Sequence, residues 1–141
     1  MSKRLLDFSE LRVYIEEETH PIYEKLVSQA NKQAEEKPFM TMKDLFLVAA
    51  CVGQKEGVYK PTQVRREIFR GSVFRERIDA PMLAVLAYQR TQSLDTLTDS
   101  GQVLETVQGW ANGGIGLVQD TVLNQSGRPL ANLVDMVLGE S

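Results

Sequence analysis

Basic side chains that can bind phosphates or carboxylates are concentrated in the middle of this chain. Residues 55–77 carry seven Lys or Arg against three Glu, a local net charge of +4, although the whole chain has a formal net charge of -3. A positive field on an acidic body is typical of a site for a polyanion or an acidic partner. We therefore predict a binding surface at about residues 60–77. Its predicted contact residues are Lys60, Arg65, Arg66, Arg70, Arg75 and Arg77.

The competing interpretation is that these cations pair with carboxylates of the same chain. After residue 78, Arg90 and Arg128 stand against seven Asp or Glu, a net charge of -5. Isolated surface ion pairs contribute little to stability, so they are a poor reason for so many arginines. The sequence leaves partner binding and intramolecular pairing as open alternatives.

Residues of the types that carry catalysis are scarce. His20 is the only histidine, which precludes a multi-histidine metal site within one chain, and it lies before Pro21 at a predicted bend. Cys51 lies inside an apolar run, where burial raises the pKa of a thiol, so we interpret it as a core residue. Three consecutive carboxylates at 16–18 diverge by about 100° each on a helix, which favours a solvated face. We expect no catalytic residues, no cofactor and no metal.

Hydrophobic periodicity predicts a mostly helical chain. The run Leu45–Val52 has no polar face, as in a buried helix, and Thr41 with Asp44 resembles a capping box. We predict a central core helix over 42–53, with a buried strand as the alternative for so short an apolar run. A first predicted helix covers 9–18 and continues over 21–35, where Pro21 interrupts or restarts it. The other predicted helices cover 63–70, 79–91, a segment from Ser100 to Val122, and a short final helix within 130–137.

Two of these segments bear directly on the predicted surface and the core. Thr62 is a possible cap of a basic helix over 63–70, on which Arg66 and Arg70 would share a face, and a brief extended piece follows at 72–75. Glycines at 113, 114 and 116 interrupt the apolar pattern that starts at Ser100. Because each glycine costs up to about 1 kcal/mol in a helix interior, either the helix breaks near Asn112 or another helix crosses closely there.

Composition and length place the chain among ordinary globular proteins, with 43% hydrophobic and 25% charged residues in 141. We predict a single all-α domain over 1–141, a bundle of five to six helices around the 42–53 helix. The N-terminus reaches acidic residues before any apolar stretch, so we expect no secretory signal, and the longest apolar run is far too short to span a membrane. One cysteine and no intrachain disulfide favour a cytoplasmic setting.

Short blocks of the sequence carry a family resemblance. They are PFMTMKDLF at 38–46, Ala49-Ala50, Gly53, REIFR at 66–70, Val73-Phe74 and WANGG at 110–114. Together, over about residues 38–118, they resemble the small proteins associated with Dnd DNA-phosphorothioation loci. The resemblance implies a bacterial cytoplasmic protein encoded beside machinery that places sulfur in the DNA backbone or restricts DNA lacking it. It supplies no catalytic residues, and Arg66 and Arg70 are the matched arginines, which agrees with the charge argument for a binding surface.

The leading hypothesis is a non-enzymatic accessory protein of a bacterial DNA phosphorothioation or phage-defence system. It would dock through the basic 60–77 surface onto DNA or an acidic face of a larger protein of a modification or restriction complex. The alternative is a DNA-binding transcriptional regulator of its own locus, although the turn before the predicted basic helix is too long for a tight helix-turn-helix. A third is a small enzyme, which would need a pocket lined by paired titratable groups.

Overall fold

Four α-helices and one two-stranded antiparallel sheet make up the part of the chain that the computed structural model describes, residues 6–27 and 41–124. Three short 3₁₀ turns, Glu17–Thr19, Gly71–Val73 and Leu94–Thr98, join these elements. In chain order the elements are β1 (Arg12–Glu16), α1 (His20–Val27), α2 (Met42–Glu56), β2 (Arg65–Arg70), α3 (Asp79–Thr91) and α4 (Ser100–Asn124).

The predicted all-α bundle of five to six helices is wrong, because two segments predicted as helices are strands. Residues 9–18 contain β1 and the start of a 3₁₀ turn, and residues 63–70 contain β2. In β1, Val13 and Ile15 are buried while their neighbours are more exposed, a period of two. Neither segment has the apolar stripe that stabilises a short helix through packing, so antiparallel pairing of the two segments determines their conformation.

The predicted central helix is confirmed as α2, which extends three residues beyond the predicted end. Thr41 Oγ1 accepts a hydrogen bond from the backbone N–H of Asp44 at 3.1 Å and so caps the first turn. Gly57, with φ 70°, ends the helix in the left-handed conformation. The fully buried side chains that α2 contributes to the core are Leu45, Phe46, Ala49, Ala50 and Val52.

The glycines at 113 and 114 mark a close helix crossing. α4 is continuous from Ser100 to Asn124, so the predicted alternative of a break near Asn112 is wrong and the alternative of a crossing helix is confirmed. A Cβ built on Gly114 would lie 2.6 Å from the backbone N of Gly53 on α2 and would overlap the carbonyl of Ala49. The two helices are therefore in backbone contact at this point.

α3 confirms the predicted helix over 79–91, and residues 94–98 form a 3₁₀ turn rather than an extension of it. The indole Nε1–H of Trp110 donates to the backbone carbonyl of Leu86 at 2.8 Å, which joins α4 to α3 in the core. The predicted segment 72–75, expected to be extended, overlaps the 3₁₀ turn Gly71–Val73. The part of the predicted helix 21–35 after residue 27, the turn at 126–129 and the helix within 130–137 lie outside the described residues.

Among residues 6–27 and 41–124, no helix combines the length and the apolar character needed to cross a bilayer.

Candidate interaction surface

The ribbon formed by β1 and β2 positions the arginines of the predicted surface. Arg12 pairs with Arg70 at one end of the ribbon, and Glu16 pairs with Arg65 at the other, with an irregularity beside Tyr14. Directly paired residues lie on the same face of a sheet, so Arg66, opposite Ile15, and Arg70, opposite Arg12, lie on different faces. The condition for a shared Arg66–Arg70 face, a helix over 63–70, does not hold.

Two arginines of the predicted surface form ion pairs within the chain. Arg65 contacts the carboxylate of Glu105, and Arg66 Nη1 lies 3.4 Å from Glu17 Oε2. Arg12, which the sequence analysis did not single out, pairs with Glu67 across the ribbon at 3.3 Å. Their side chains are 38–54% exposed, so these pairs contribute little to stability. The observed contacts of Arg65 and Arg66 therefore fit the interpretation that these cations pair with carboxylates of the same chain.

The remaining arginines lie in what we call the arginine turn, residues 70–78. The guanidinium groups of Arg70, Arg75 and Arg77 are exposed and make no ion pair with any described residue. Between them lie Val73 and Ile78, which are 48% and 55% exposed although apolar. The sequence analysis missed these two side chains, because exposure is a property of the fold. The turn thus combines three available cations with exposed apolar area.

A buried ion pair anchors the arginine turn to α2. Asp79 Oδ2 accepts hydrogen bonds from the backbone N–H of Arg75 at 2.7 Å and from Lys43 Nζ at 2.9 Å. The Asp79 and Lys43 side chains are only 4% and 11% exposed. On the inner side of the turn, the ring of Phe74 packs edge-on against that of Phe69, 5.3 Å between centroids. The backbone that presents the arginines is therefore anchored at Arg75 and packed at Phe74, which reduces the ordering cost of binding a partner.

Lys60, the sixth residue of the predicted surface, lies apart from the arginine turn. Its backbone N–H donates to the carbonyl of Gly109 at 3.1 Å, and it lines a groove of about 990 Å³ near the start of β2. A six-residue strand spans roughly 20 Å, so Lys60 and the arginine turn lie near opposite ends of β2. The structure thus divides the predicted 60–77 surface into a paired middle and two separate ends.

The groove beside Lys60, which we call the carboxylate groove, was not predicted from the sequence. Its walls are the end of β1 with the following 3₁₀ turn, the loop at 58–64 and the second half of α4. The carboxylates at 16–18 were predicted to lie on a solvated helix face. In the structure Glu16 is the last residue of β1, Glu17 and Glu18 lie in the following 3₁₀ turn, and all three line the groove. Its charged lining residues are Glu16, Glu17, Glu18, Asp120 and Lys60.

Glu16 holds one wall of the groove in place. Its two carboxylate oxygens accept hydrogen bonds from the backbone N–H groups of Gln63, at 2.9 Å, and Val64, at 2.7 Å. These two backbone hydrogen bonds lower the pKa of Glu16 from its usual value. The backbone N–H of Glu17 also donates to the carbonyl of Val64 at 2.7 Å. The 63–64 segment is therefore fastened to the end of β1 by three hydrogen bonds.

Replacing Glu16 by Gln is expected to lower stability at neutral pH and to matter less in acid. Because folding lowers the Glu16 pKa, the carboxylate stabilises the fold above its unfolded-state pKa, and this contribution is lost as the pH falls through the folded-state pKa. Urea midpoints of the parent and Glu16→Gln should therefore differ at pH 7 and converge near pH 3. The matched control is Glu18→Gln, which removes a carboxylate without a hydrogen bond among the described residues. Equal differences at both pH values would contradict the assignment.

The residues considered for catalysis have ordinary surroundings. Cys51 is half-buried with its Sγ 3.9 Å from the Met82 sulfur, and burial raises the pKa of its thiol, which disfavours a nucleophilic thiolate. His20 Nδ1 lies 3.1 Å from Glu24 Oε1, one turn along α1. Tyr23, which the sequence analysis did not consider, differs from these two residues: its hydroxyl is fully buried without a hydrogen-bond partner among the described residues, and burial raises the pKa of that hydroxyl.

These features define a small helical protein with a two-stranded ribbon that is basic at one end and bordered by an acidic groove at the other. The chain belongs to the family of DNA sulphur modification system-associated protein 4, whose family model matches residues 12–141. No curated protein and no solved structure gives a significant match. The family confirms the resemblance to Dnd-associated proteins, and its match extends beyond residues 38–118 in both directions. The protein is thus associated with the DNA sulphur modification system.

Proposed function

We propose that this protein is a non-enzymatic accessory component that docks, through its arginine turn, onto an acidic face of a larger protein of the DNA sulphur modification system. The observation that carries the proposal is the set of three exposed arginines that form no ion pair with any described residue, on a turn anchored by Asp79 and Lys43. Among described residues, the other arginines of the ribbon are already neutralised by carboxylates.

The mixture of charge and apolar area supports a protein partner over DNA. Protein interfaces are enriched in arginine, and their cores are apolar, which matches three arginines around Val73 and Ile78. A DNA surface instead gains affinity mainly from a series of phosphate contacts. The ribbon does not provide further phosphate contacts of this kind, because Glu67 and Glu105 form ion pairs with Arg12 and Arg65. A recognition helix over 63–70, the basis for the transcriptional regulator, is replaced by β2.

Removal of the three turn arginines is expected to abolish tight partner binding. Truncation of a hot-spot arginine in an interface costs about 2 kcal/mol or more, and about 1.4 kcal/mol corresponds to tenfold in affinity. The variant Arg70→Ala/Arg75→Ala/Arg77→Ala should therefore bind its partner at least about 100-fold more weakly. The measurement is the dissociation constant, by calorimetry, for each larger protein of the modification system, with thermal unfolding of every variant as a check on folding.

The matched control removes cations that already have intramolecular partners. Arg65→Ala/Arg66→Ala should leave the dissociation constant within a few-fold of the parent value. A loss as large as that of the turn variant would show that the turn is not the docking site. In a second arm, labelled duplex DNA with and without phosphorothioate linkages is added at about 50 and 200 mM salt, where multiple phosphate contacts lose most affinity. Salt-sensitive duplex binding that depends on the turn arginines would make DNA the ligand and overturn the protein-docking proposal.

A further inference from the structure

We propose that the carboxylate groove is a second docking site, which binds a basic, partly apolar segment of a partner protein. The groove of about 990 Å³ is larger than two further grooves among the described residues, which measure about 260 and 350 Å³. It lies near the end of β2 opposite to the arginine turn. The chain would then hold two components at once, one at each end of the ribbon. This inference does not depend on the arginine turn.

The charge of the groove selects a cationic occupant. Four carboxylates and one ammonium line it, a net charge of -3, and the lining with the Arg66 guanidinium that pairs with Glu17 still has a net charge of -2. Glu18 makes no hydrogen bond or ion pair with any described residue, and the Glu17–Arg66 pair is exposed, with side chains about half accessible to solvent. Lysine or arginine side chains of a partner would find complementary charge at the exposed Glu17 and Glu18, which we call the rim of the groove, and this charge favours association and excludes acidic segments.

The walls and floor of the groove supply apolar contact area. Val64 is 62% exposed, and Ile22, Val58 and Leu117 are half-buried along the same groove. Because the hydrogen bonds to Glu16 fasten Val64 to the end of β1, its exposed side chain is presented on a defined backbone. A segment that directs apolar side chains to the floor and basic side chains to the rim fits this arrangement.

Gly116 provides an observation independent of the charge. It lies exposed within α4 in the groove lining, and a Cβ built on it would meet nothing within 4 Å. Glycine costs up to about 1 kcal/mol in a helix interior relative to alanine. Gly113 and Gly114 are required by backbone contacts with Val58 and Ala49, but no described residue requires Gly116. Close approach of a partner's backbone to α4 would account for a glycine at this position.

Site-specific photocrosslinking tests the proposal in the full chain. A benzoylphenylalanine replaces Val64 in the groove or, as a control, the exposed Val85 on α3. The chain is produced together with the other proteins of its modification system, and crosslinked peptides are identified by mass spectrometry. We expect the groove position, and not the control position, to crosslink to a Lys/Arg-rich peptide of one of those proteins.

Variants separate binding from folding. The crosslink yield should fall at least about tenfold in Glu17→Lys/Glu18→Lys and in Gly116→Leu, by charge repulsion and by filling of the groove. Gly116→Ala should raise the melting temperature and still lower the yield, a combination that damage to the fold cannot produce. The crosslink should survive Arg70→Ala/Arg75→Ala/Arg77→Ala, so failure at one surface is distinguishable from failure at the other.

Four results would overturn the proposal. The first is a crosslink from position 64 to this chain's own residues 28–40 or 125–141, and the second is a crosslink to DNA or to a peptide without basic residues. The third is a crosslink yield that the groove variants leave unchanged, and the fourth is the absence of any groove crosslink in the complete system.

Discussion

The substitution Gly114→Ala is expected to lower the free energy of unfolding by about 2 kcal/mol or more, although alanine is a better helix former than glycine. The added Cβ would overlap the Ala49 carbonyl and lie 2.6 Å from the Gly53 backbone N. Both neighbours are backbone atoms of α2, so no side chain can rotate away, and the two helices must separate along a contact that organises the core. Overpacking of this kind costs about 1–3 kcal/mol and occasionally more, which exceeds the gain of up to about 1 kcal/mol in helix propensity.

The matched control lies two residues further along the same helix. Gly116→Ala has the same gain in propensity, but its Cβ enters open space, so it should stabilise the isolated protein by up to about 1 kcal/mol. Urea unfolding of both variants gives the comparison, with midpoints expected to shift in opposite directions. If Gly114→Ala were as stable as the parent, the close backbone contact between α2 and α4 would be refuted.

Removal of the Asp79 carboxylate is expected to cost about 3–5 kcal/mol, because it leaves the buried ammonium of Lys43 without its partner. The two side chains are 4% and 11% exposed and lie 2.9 Å apart. The same carboxylate oxygen accepts the backbone N–H of Arg75, so Asp79→Ala also releases the arginine turn. A loss of this size is a large part of the 5–15 kcal/mol that stabilises a typical domain, and urea unfolding at pH 7 measures it.

Two further variants separate charge from contact. In Lys43→Met/Asp79→Asn no charge remains buried, while the Asn oxygen can still accept from Arg75, so much of the lost stability should return. Glu67→Ala is the control for an exposed pair, since it frees Arg12 at the surface, and should cost at most about 1 kcal/mol. If Asp79→Ala cost no more than Glu67→Ala, the pair would not anchor the turn.

A buried anchor and an exposed set of arginines have different consequences for experiments on function. Substitution of Arg70, Arg75 or Arg77 removes groups without intramolecular partners in the described structure, so stability should change little while binding changes strongly. Substitution of Asp79 or Lys43 should change both. This contrast allows effects on docking to be distinguished from effects on folding within one short stretch of sequence.

Local signals in the sequence determined the helical part of this protein. The Thr41 cap and the uninterrupted apolar run after it are short-range features, and α2 begins where those features predict. The helix predicted over 79–91 likewise begins at Asp79 as α3. The apolar spacing after Ser100 likewise predicted α4. The net positive charge of residues 55–77 and the resemblance that led to the family were also readable from the residues alone, since composition and short blocks do not depend on packing.

Only the tertiary structure decided the rest, because it depends on contacts between residues far apart in the chain. β1 and β2 exist as a pair across some 50 residues, and neither segment has a local pattern strong enough to choose strand over helix. The same pairing brings Arg66 to Glu17, and the packing of α4 brings Arg65 to Glu105. Of the arginines of the predicted surface, those of the turn therefore form no ion pair with a described residue. The carboxylate groove likewise forms where the end of β1, the loop before β2 and α4 meet, and no single segment encodes it.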